Sequence, residues 1–272
     1  MVSSETRDRI VENCLRIQLG DHALAHDLYA DLRQQLIRTP ERRYDMTLSV
    51  ALAPWTDGAA SGRGAMFVAT IRTEYWLVPV SPVMRFTAVS DLDEYRESLQ
   101  DASGTVAHYI QPVGGLDGGS AEAFELVELT VDGAQRPVRR TARSGAQVYT
   151  ANLGDAAMRG GQPVAVSYTS RLLVQQHGHL LHLDISRPTK GLRVQFAYGG
   201  CGIRYVSVLD YIAASTQARL SRLPAWEPTP SIALGFDGWV LPKAAVAFVW
   251  VLEREMALMP EHDMHLTAHA PD

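Results

Sequence analysis

Three histidines and an aspartate, His177, His179, His182 and Asp184, fall within eight consecutive positions of the stretch "HGHLLHLD". Imidazole nitrogens and carboxylate oxygens are common ligands for divalent transition metals. In an extended chain His177 and His179 share a face, because side chains alternate with period two. A metal ion held by His177, His179 and Asp184, with His182 as fourth ligand or outer partner, would act as a Lewis acid. A plainer element accounts for the same residues. "RLLVQQ" and "HLLHLDIS" are both strand-like, and Gly178 between them tolerates the positive φ of a tight hairpin turn. His177 and His179 then flank an exposed tip, while His182 and Asp184 lie on the polar face opposite Leu181, Leu183 and Ile185. Turn chemistry alone predicts the glycine. The hairpin is therefore the leading expectation, and the metal centre the alternative.

A second cluster is cationic. Arg136, Arg139, Arg140 and Arg143 occur in "RPVRRTAR", and guanidinium forks suit carboxylates and phosphates. On a strand, Arg139 and Arg143 point one way and Arg136 and Arg140 the other. The competing account is a solvated strand whose charges block edge-to-edge pairing. His22 and His26 are four apart on a helical pattern, with no third ligand in view. Glu125 and Glu128 are expected on opposite faces of one strand, so they do not form an acid–base pair. Cys201 sits among glycines, accessible in principle and without a marked histidine partner. No G-x-S-x-G, G-x-G-x-x-G or G-x-x-x-x-G-K-[ST] stretch occurs, so those motifs point to neither a nucleophile elbow nor a nucleotide loop.

The string His177-x-His179-x4-Asp184-x6-Gly191 partly resembles the first motif of the cupin family. That resemblance implies an all-β fold and metal-dependent oxygenase, isomerase or hydrolase chemistry. His177, His179 and Asp184 would be its ligands. Asp184 stands where the family has glutamate, and Arg171 where its leading glycine falls. No histidine occurs between His182 and His262. The H-x-H-x-D-H motif of metallo-β-lactamases is a weaker match, with Leu181 in the aspartate position.

The elements that must position these residues emerge from periodicity. Ile10, Cys14 and Ile17, then Leu24, Leu28, Leu32 and Leu36, recur at helical spacing, with Gly20-Asp21 as stop and new cap. From Tyr44 the period becomes two, with Tyr44, Met46, Leu48, Val50 and Leu52 on one face. "SDLDEYRESLQ" reads as a short helix opened by Ser90 or Asp91. Strand-like runs and turn signals fill most of the remainder, while residues 211–223 read as a short helix or crossover. Trp76, Trp239 and Trp250 read as core anchors, and Trp55 and Trp226 as loop residues able to line a pocket. The expected fold is mainly β, an antiparallel sandwich or open barrel with an N-terminal α-helical segment, α+β overall. A division into 1–113 and 121–253, with a frayed tail over 254–272, is expected at the glycine-rich stretch 114–120. A single continuous domain is the other arrangement.

The chain has 272 residues, 46% hydrophobic and 20% charged, and a net charge of −5. This is globular composition, and the acidic balance argues against bulk nucleic-acid binding. Two widely separated cysteines make no disulfide framework, and no run is long and apolar enough for a membrane helix. A cytoplasmic protein is expected. The leading functional expectation is a non-catalytic binding or regulatory protein that recognises a small anionic ligand through the arginine strand, or a protein partner, with no cofactor. The alternatives are a metal-dependent enzyme using the histidine segment, with a divalent metal as cofactor, and a self-assembling structural subunit.

Overall fold

The computed structural model describes residues 3–37, 39–56, 64–101, 104–158, 161–213, 217–223 and 229–256. Trp226 and residues 257–272 lie outside these, so the expectations for that loop and for most of the tail do too. Two helices open the chain, α1 (Ser4–Leu19) and α2 (His22–Leu32). The Ser3 hydroxyl accepts from the Thr6 N–H to cap α1, and Gly20 at φ 69° ends it. Asp21 caps α2 through the Leu24 N–H, so Gly-Asp is both the stop and the new cap. Glu12 reaches across from α1 to His26 at 2.8 Å, which uses His26 as a helix-pairing residue.

Strands dominate the chain beyond these helices. They are β1 (Arg43–Pro54), β2 (Met66–Leu77), β3 (Val83–Val89), β4 (Val106–Tyr109), β5 (Phe124–Val131), β6 (Ala134–Gln135), β7 (Val138–Arg143) and β8 (Ala146–Asn152). The remainder are β9 (Val164–Gln175), β10 (Leu180–Ile185), β11 (Thr189–Ala197), β12 (Ile203–Asp210), β13 (Arg219–Leu223), β14 (Ser231–Val240) and β15 (Ala244–Leu252). Helix α3 (Leu92–Gln100), α4 (Asp155–Met158) and α5 (Glu253–Met256) are interspersed. The Asp91 carboxylate caps α3 by accepting from the N–H groups of Asp93 and Glu94.

The strands form an eight-stranded sheet ordered β13-β14-β11-β1-β2-β9-β5-β6, a three-stranded sheet β10-β15-β12 and a four-stranded sheet β4-β3-β8-β7. The expectation of a mainly β, α+β chain with helices at its start agrees with this architecture. Wholly antiparallel pairing does not, since β1 and β11 pair in parallel, as do β3 and β4. Both parallel pairs join strands separated by intervening elements, which a strand-by-strand reading of turns cannot anticipate. Among the described residues no sheet closes into a barrel. The eight-stranded sheet draws strands from both sides of residues 114–120.

Bulges decide which side chains face inward. β1 shifts register between Tyr44 and Thr47, where Asp45 takes φ 52°. An extra residue reverses the alternation. Arg43 is consequently 3% exposed, whereas Tyr44, which strict alternation places inside, is 37% exposed. Gly191 on β11 has φ 77°, and a side chain there would meet the Asp45 carboxylate at 3.2 Å. β14 runs through Asp237-Gly238 with a register shift opposite Gly191, so this pair is a bulge and not a chain-reversing turn. A further shift between Leu126 and Glu128 puts Glu125 and Glu128 on the same outward face, beside Arg171 and Thr169. This corrects their expected opposition.

Residues 219–223 form the edge strand β13 instead of a helix, paired with β14. Trp250 is buried as expected, but Trp76 and Trp239 are 48% and 41% exposed. Cys201 is buried and Cys14 exposed, both as free thiols. Burial pushes the Cys201 thiol up to about 11, well away from a reactive thiolate. No described helix is long and apolar enough to cross a membrane.

Candidate functional site

The three sheets and α3 meet around a cavity of about 450 Å³. Its floor comes from β1, β2 and β9 of the large sheet, including Met46, Leu48, Ile71 and Leu172. β4, β10 and α3 supply the facing wall with His108, Leu181, Leu183 and Tyr95. The lining is mostly apolar, and the size lies in the range of small-molecule pockets, roughly 300–1,000 Å³.

Polar side chains also enter this lining, and three of them are unusually placed. The bulge in β1 turns Arg43 inward. Its Nε donates to Glu41 Oε1 at 3.0 Å, and its guanidinium carbon lies 4.6 Å from the centre of the Tyr75 ring. Burial opposes the charge, but Tyr75 and Glu41 outweigh it and hold the guanidinium protonated. Arg43 Nη2 has no hydrogen-bond partner among the described residues. Ser170, in the middle of β9 between β2 and β5, is 1% exposed, and its Oγ is likewise unpartnered. His108 on β4 packs its ring 4.6 Å from that of Phe124, with Nε2 unpartnered. Burial holds His108 down at about 4, so it is neutral near pH 7. All three of these residues line the cavity. Such orphans are rare in native interiors.

The histidine-rich segment splits into two places. It is not a hairpin, because β9 pairs with β2 and β5 while β10 pairs with β15. Residues Gln176–Gly178 form a single 3₁₀ turn, and the positive φ falls on His179, at 53°, instead of on Gly178. The chain changes sheets at this corner. Beyond it, His182 and Asp184 point outward from β10 and line the cavity. Asp184 Oδ2 accepts from the Tyr95 hydroxyl of α3 and lies 3.5 Å from His182 Nδ1. Burial pulls Asp184 up, but His182 and Tyr95 together hold it below the usual carboxylate range. The same contact raises His182 above its ordinary value.

His177 and His179 instead meet Glu255 of α5, with Glu255 Oε1 at 3.8 Å from His177 Nδ1 and 3.3 Å from His179 Nε2. The three-residue group assembled at the corner thus contains Glu255 in place of Asp184. Glu255 lies in the segment that reads as a tail, and no local pattern in the sequence links it to the histidines.

The arginine cluster does not line the cavity. Arg140 donates to Gln147 Oε1 at 2.8 Å and to the Gly119 carbonyl at 3.0 Å. Arg143 pairs with Glu94 at 2.5 Å. Arg136 precedes β7 and packs its guanidinium over Gly154. Arg139 is exposed and makes no side-chain hydrogen bond or ion pair among the described residues. The adjoining glycine-rich stretch is pinned by Asp117, which accepts from the Gly119 and Gly145 N–H groups at 2.9 Å each. A side chain at Gly118 would sit 2.5 Å from the Gly145 carbonyl, so close backbone approach requires this glycine.

No family model matches the chain. No curated protein matches it either. Among solved structures, it aligns with a candidate protease from Parabacteroides distasonis at 7% identity and TM-score 0.45, covering 77% of this chain and 40% of that one. A candidate nutrient-binding protein from Legionella pneumophila aligns at 8% identity and TM-score 0.34, over 77% and 67% of the respective chains. The yeast LTA4 hydrolase in complex with bestatin aligns at 8% and 0.32, over 79% and 30%. The chain thus spans well under half the length of the first and third. Similarity at this level carries no functional argument, and the site has to be read from its own chemistry.

Proposed function

We propose that the protein is a non-catalytic binding protein, serving a carrier or regulatory role, that takes up a small amphipathic anion. The ligand would place a carboxylate near Arg43 and Ser170 and an apolar body along the leucines of β1, β9 and β10. The supporting observation is the set of three unpartnered polar atoms, Arg43 Nη2, His108 Nε2 and Ser170 Oγ, in residues lining one apolar cavity. An orphaned buried donor costs about 1–3 kcal/mol, more when charged. A ligand that satisfies it recovers that cost. A guanidinium edge suits a carboxylate, and the surrounding apolar walls strengthen the contact.

This reading keeps the small anionic ligand expected from sequence and moves its receptor from the exposed arginine strand to Arg43. Binding is favoured over catalysis because Ser170 Oγ and His108 Nε2, each without a partner, do not hydrogen-bond to each other. A serine nucleophile needs an adjacent base. A ligand held between the large sheet and the smaller ones would also fit the sandwich reading of the architecture.

The test is calorimetric titration of the full chain with medium-chain carboxylic acids and with amines and alcohols of the same length. Saturable binding of the acids alone is expected. Ser170→Ala should weaken it about tenfold while raising unfolding stability by about 1 kcal/mol, since a buried unsatisfied hydroxyl is removed. Equal binding of all three classes, no binding, or an unchanged affinity in Ser170→Ala would overturn the proposal.

A further inference from the structure

The corner between β9 and β10 gathers a group of ligand-type side chains whose reading does not depend on what the cavity holds. We propose that His177, His179 and Glu255 bind one transition-metal ion of the Zn²⁺ class, tying α5 to this corner and leaving a fourth position for water.

The geometry of His179 leads to this. Its Nδ1 lies 3.0 Å from the Trp250 carbonyl oxygen. A carbonyl only accepts, so Nδ1 bears the proton. In the neutral ring Nε2 then presents a bare lone pair, and it faces Glu255 Oε1 at 3.3 Å. Two acceptors at that distance repel unless a proton or a metal ion lies between them. A ring nitrogen fixed by a backbone carbonyl, with the other left for a metal, is the usual outer arrangement of histidine ligands.

The spacing also fits. Tetrahedral Zn²⁺ with ligand bonds near 2.0–2.2 Å separates its donors by about 3.3–3.6 Å. Glu255 Oε1 lies 3.3 Å from His179 and 3.8 Å from His177, and one ligand atom from each residue falls within 4.8 Å of the others. Only small side-chain shifts separate these positions from a coordinated set.

The supports around the site are hydrogen-bonded. The Trp250 indole N–H donates to the Gln176 carbonyl at 2.9 Å, and the Trp250 backbone N–H to the His179 carbonyl at 3.1 Å. Trp250 is 1% exposed, so the corner is anchored on the core. On the other side, Glu255 Oε2 accepts from the Leu252 N–H at 2.8 Å, which aims Oε1 at the histidines. Gly178, between the two histidines, lines the cavity, so a metal here would brace part of the cavity rim.

One residue opposes the ion. Arg254 Nη2 lies 3.2 Å from His177 Nε2 and 3.1 Å from Gln176 Oε1. A guanidinium only donates, so His177 Nε2 accepts from it. Metal binding through Nε2 displaces Arg254, and binding through Nδ1 requires a proton on Nε2, which also expels it. Arg254 therefore competes with the metal, and removing its charge should tighten binding.

The experiment is calorimetric titration of the chelator-stripped 272-residue chain with Zn²⁺. Visible spectra with Co²⁺ report the coordination, and thermal denaturation checks folding. A single saturable site is expected, at least tenfold weaker in His179→Gln and in Glu255→Gln, and several-fold tighter in Arg254→Gln. Glu255→Gln retains an acceptor for the Leu252 N–H, so it tests the site even if His179→Gln fails to fold. No saturable binding by folded wild type, or binding that survives Glu255→Gln unchanged, would overturn the proposal, as would weaker binding in Arg254→Gln.

Discussion

The arginines of β7 and the arginine that opens β1 are the same side chain put to opposite use. Arg139, Arg140 and Arg143 stand on an exposed strand, and two of them spend their donors on Gln147, Gly119 and Glu94. Arg43 is buried, lines the cavity, has one carboxylate partner and leaves its Nη2 without a hydrogen-bond partner among the described residues. In water a guanidinium–carboxylate contact is screened and contributes little, whereas in a dry cavity the same contact is strong and its absence is costly. Density of charge along the chain thus points to arginines that do not line the cavity. Burial, which composition does not report, separates Arg43 from them, and the proposed anion site rests on that difference.

The largest effect should come from cutting the buried pair. Arg43→Met leaves Glu41, 7% exposed, without its hydrogen-bonded cation and with only the neighbouring charge of Arg187, and loss of one partner from such a pair typically costs about 3–5 kcal/mol. Urea denaturation of Arg43→Met beside Arg43→Met/Glu41→Gln should show a large loss in the first and recovery of much of it in the second. A loss no greater than for the β7 arginines would break the comparison at its root.

His108 sharpens the comparison through pH. Its folded value is lowered to about 4 from an ordinary 6.5, so between these values the unfolded chain binds a proton that the folded chain does not. Unfolding free energy should be complete above about pH 6.5 and decline as pH falls towards 4, by on the order of 3 kcal/mol from this group. Asp184, held below the ordinary carboxylate value, contributes stability above that value and loses it only as pH falls further, outside most of this window. His182, raised by the same carboxylate, works the other way, and its stabilisation fades as pH rises through its folded value. Denaturation series from pH 7 to pH 4 should therefore be flatter for His108→Gln than for wild type. Parallel profiles would mean that the cavity is wet enough to solvate the imidazolium, and the dry-cavity half of the comparison would fail.

The division between legible and hidden features depends on the range of the interactions involved. Helix caps at Gly20–Asp21 and Asp91 are local, and the sequence displays them. Alternation along β2, β9 and β11 reports one buried face and is equally local. Arg43 stays hidden because the single extra residue at Asp45 inverts the parity of β1, and an aspartate at φ 52° looks like any other aspartate on paper. The bulge after Leu126 hides the true face of Glu128 in the same way. Strand β13, "RLSRL", is exposed at all its positions, so burial never imposed an alternating pattern on it. The histidine segment combines both difficulties. Gly178 suggests a hairpin, but whether two consecutive strands pair with each other or part into different sheets is decided by β2, β5 and β15, all distant in sequence. Glu255 can join His177 and His179 only through that long-range choice.

The smallest effects belong to β7, and they carry the other half of the comparison. Arg139→Ala removes no hydrogen bond or ion pair among the described residues and should shift unfolding free energy by less than about 0.5 kcal/mol. Arg143→Ala severs the contact with Glu94, but the arginine side chain is 65% exposed, and exposed pairs contribute about 0.2–1 kcal/mol at most. That loss should shrink as salt is raised, since screening already does part of what the mutation does. Neither change should alter carboxylate binding, because neither residue lines the cavity. A tenfold fall in affinity in Arg139→Ala, with stability intact, would return the anion site to the surface strand and leave Arg43 a structural residue with an unsatisfied edge.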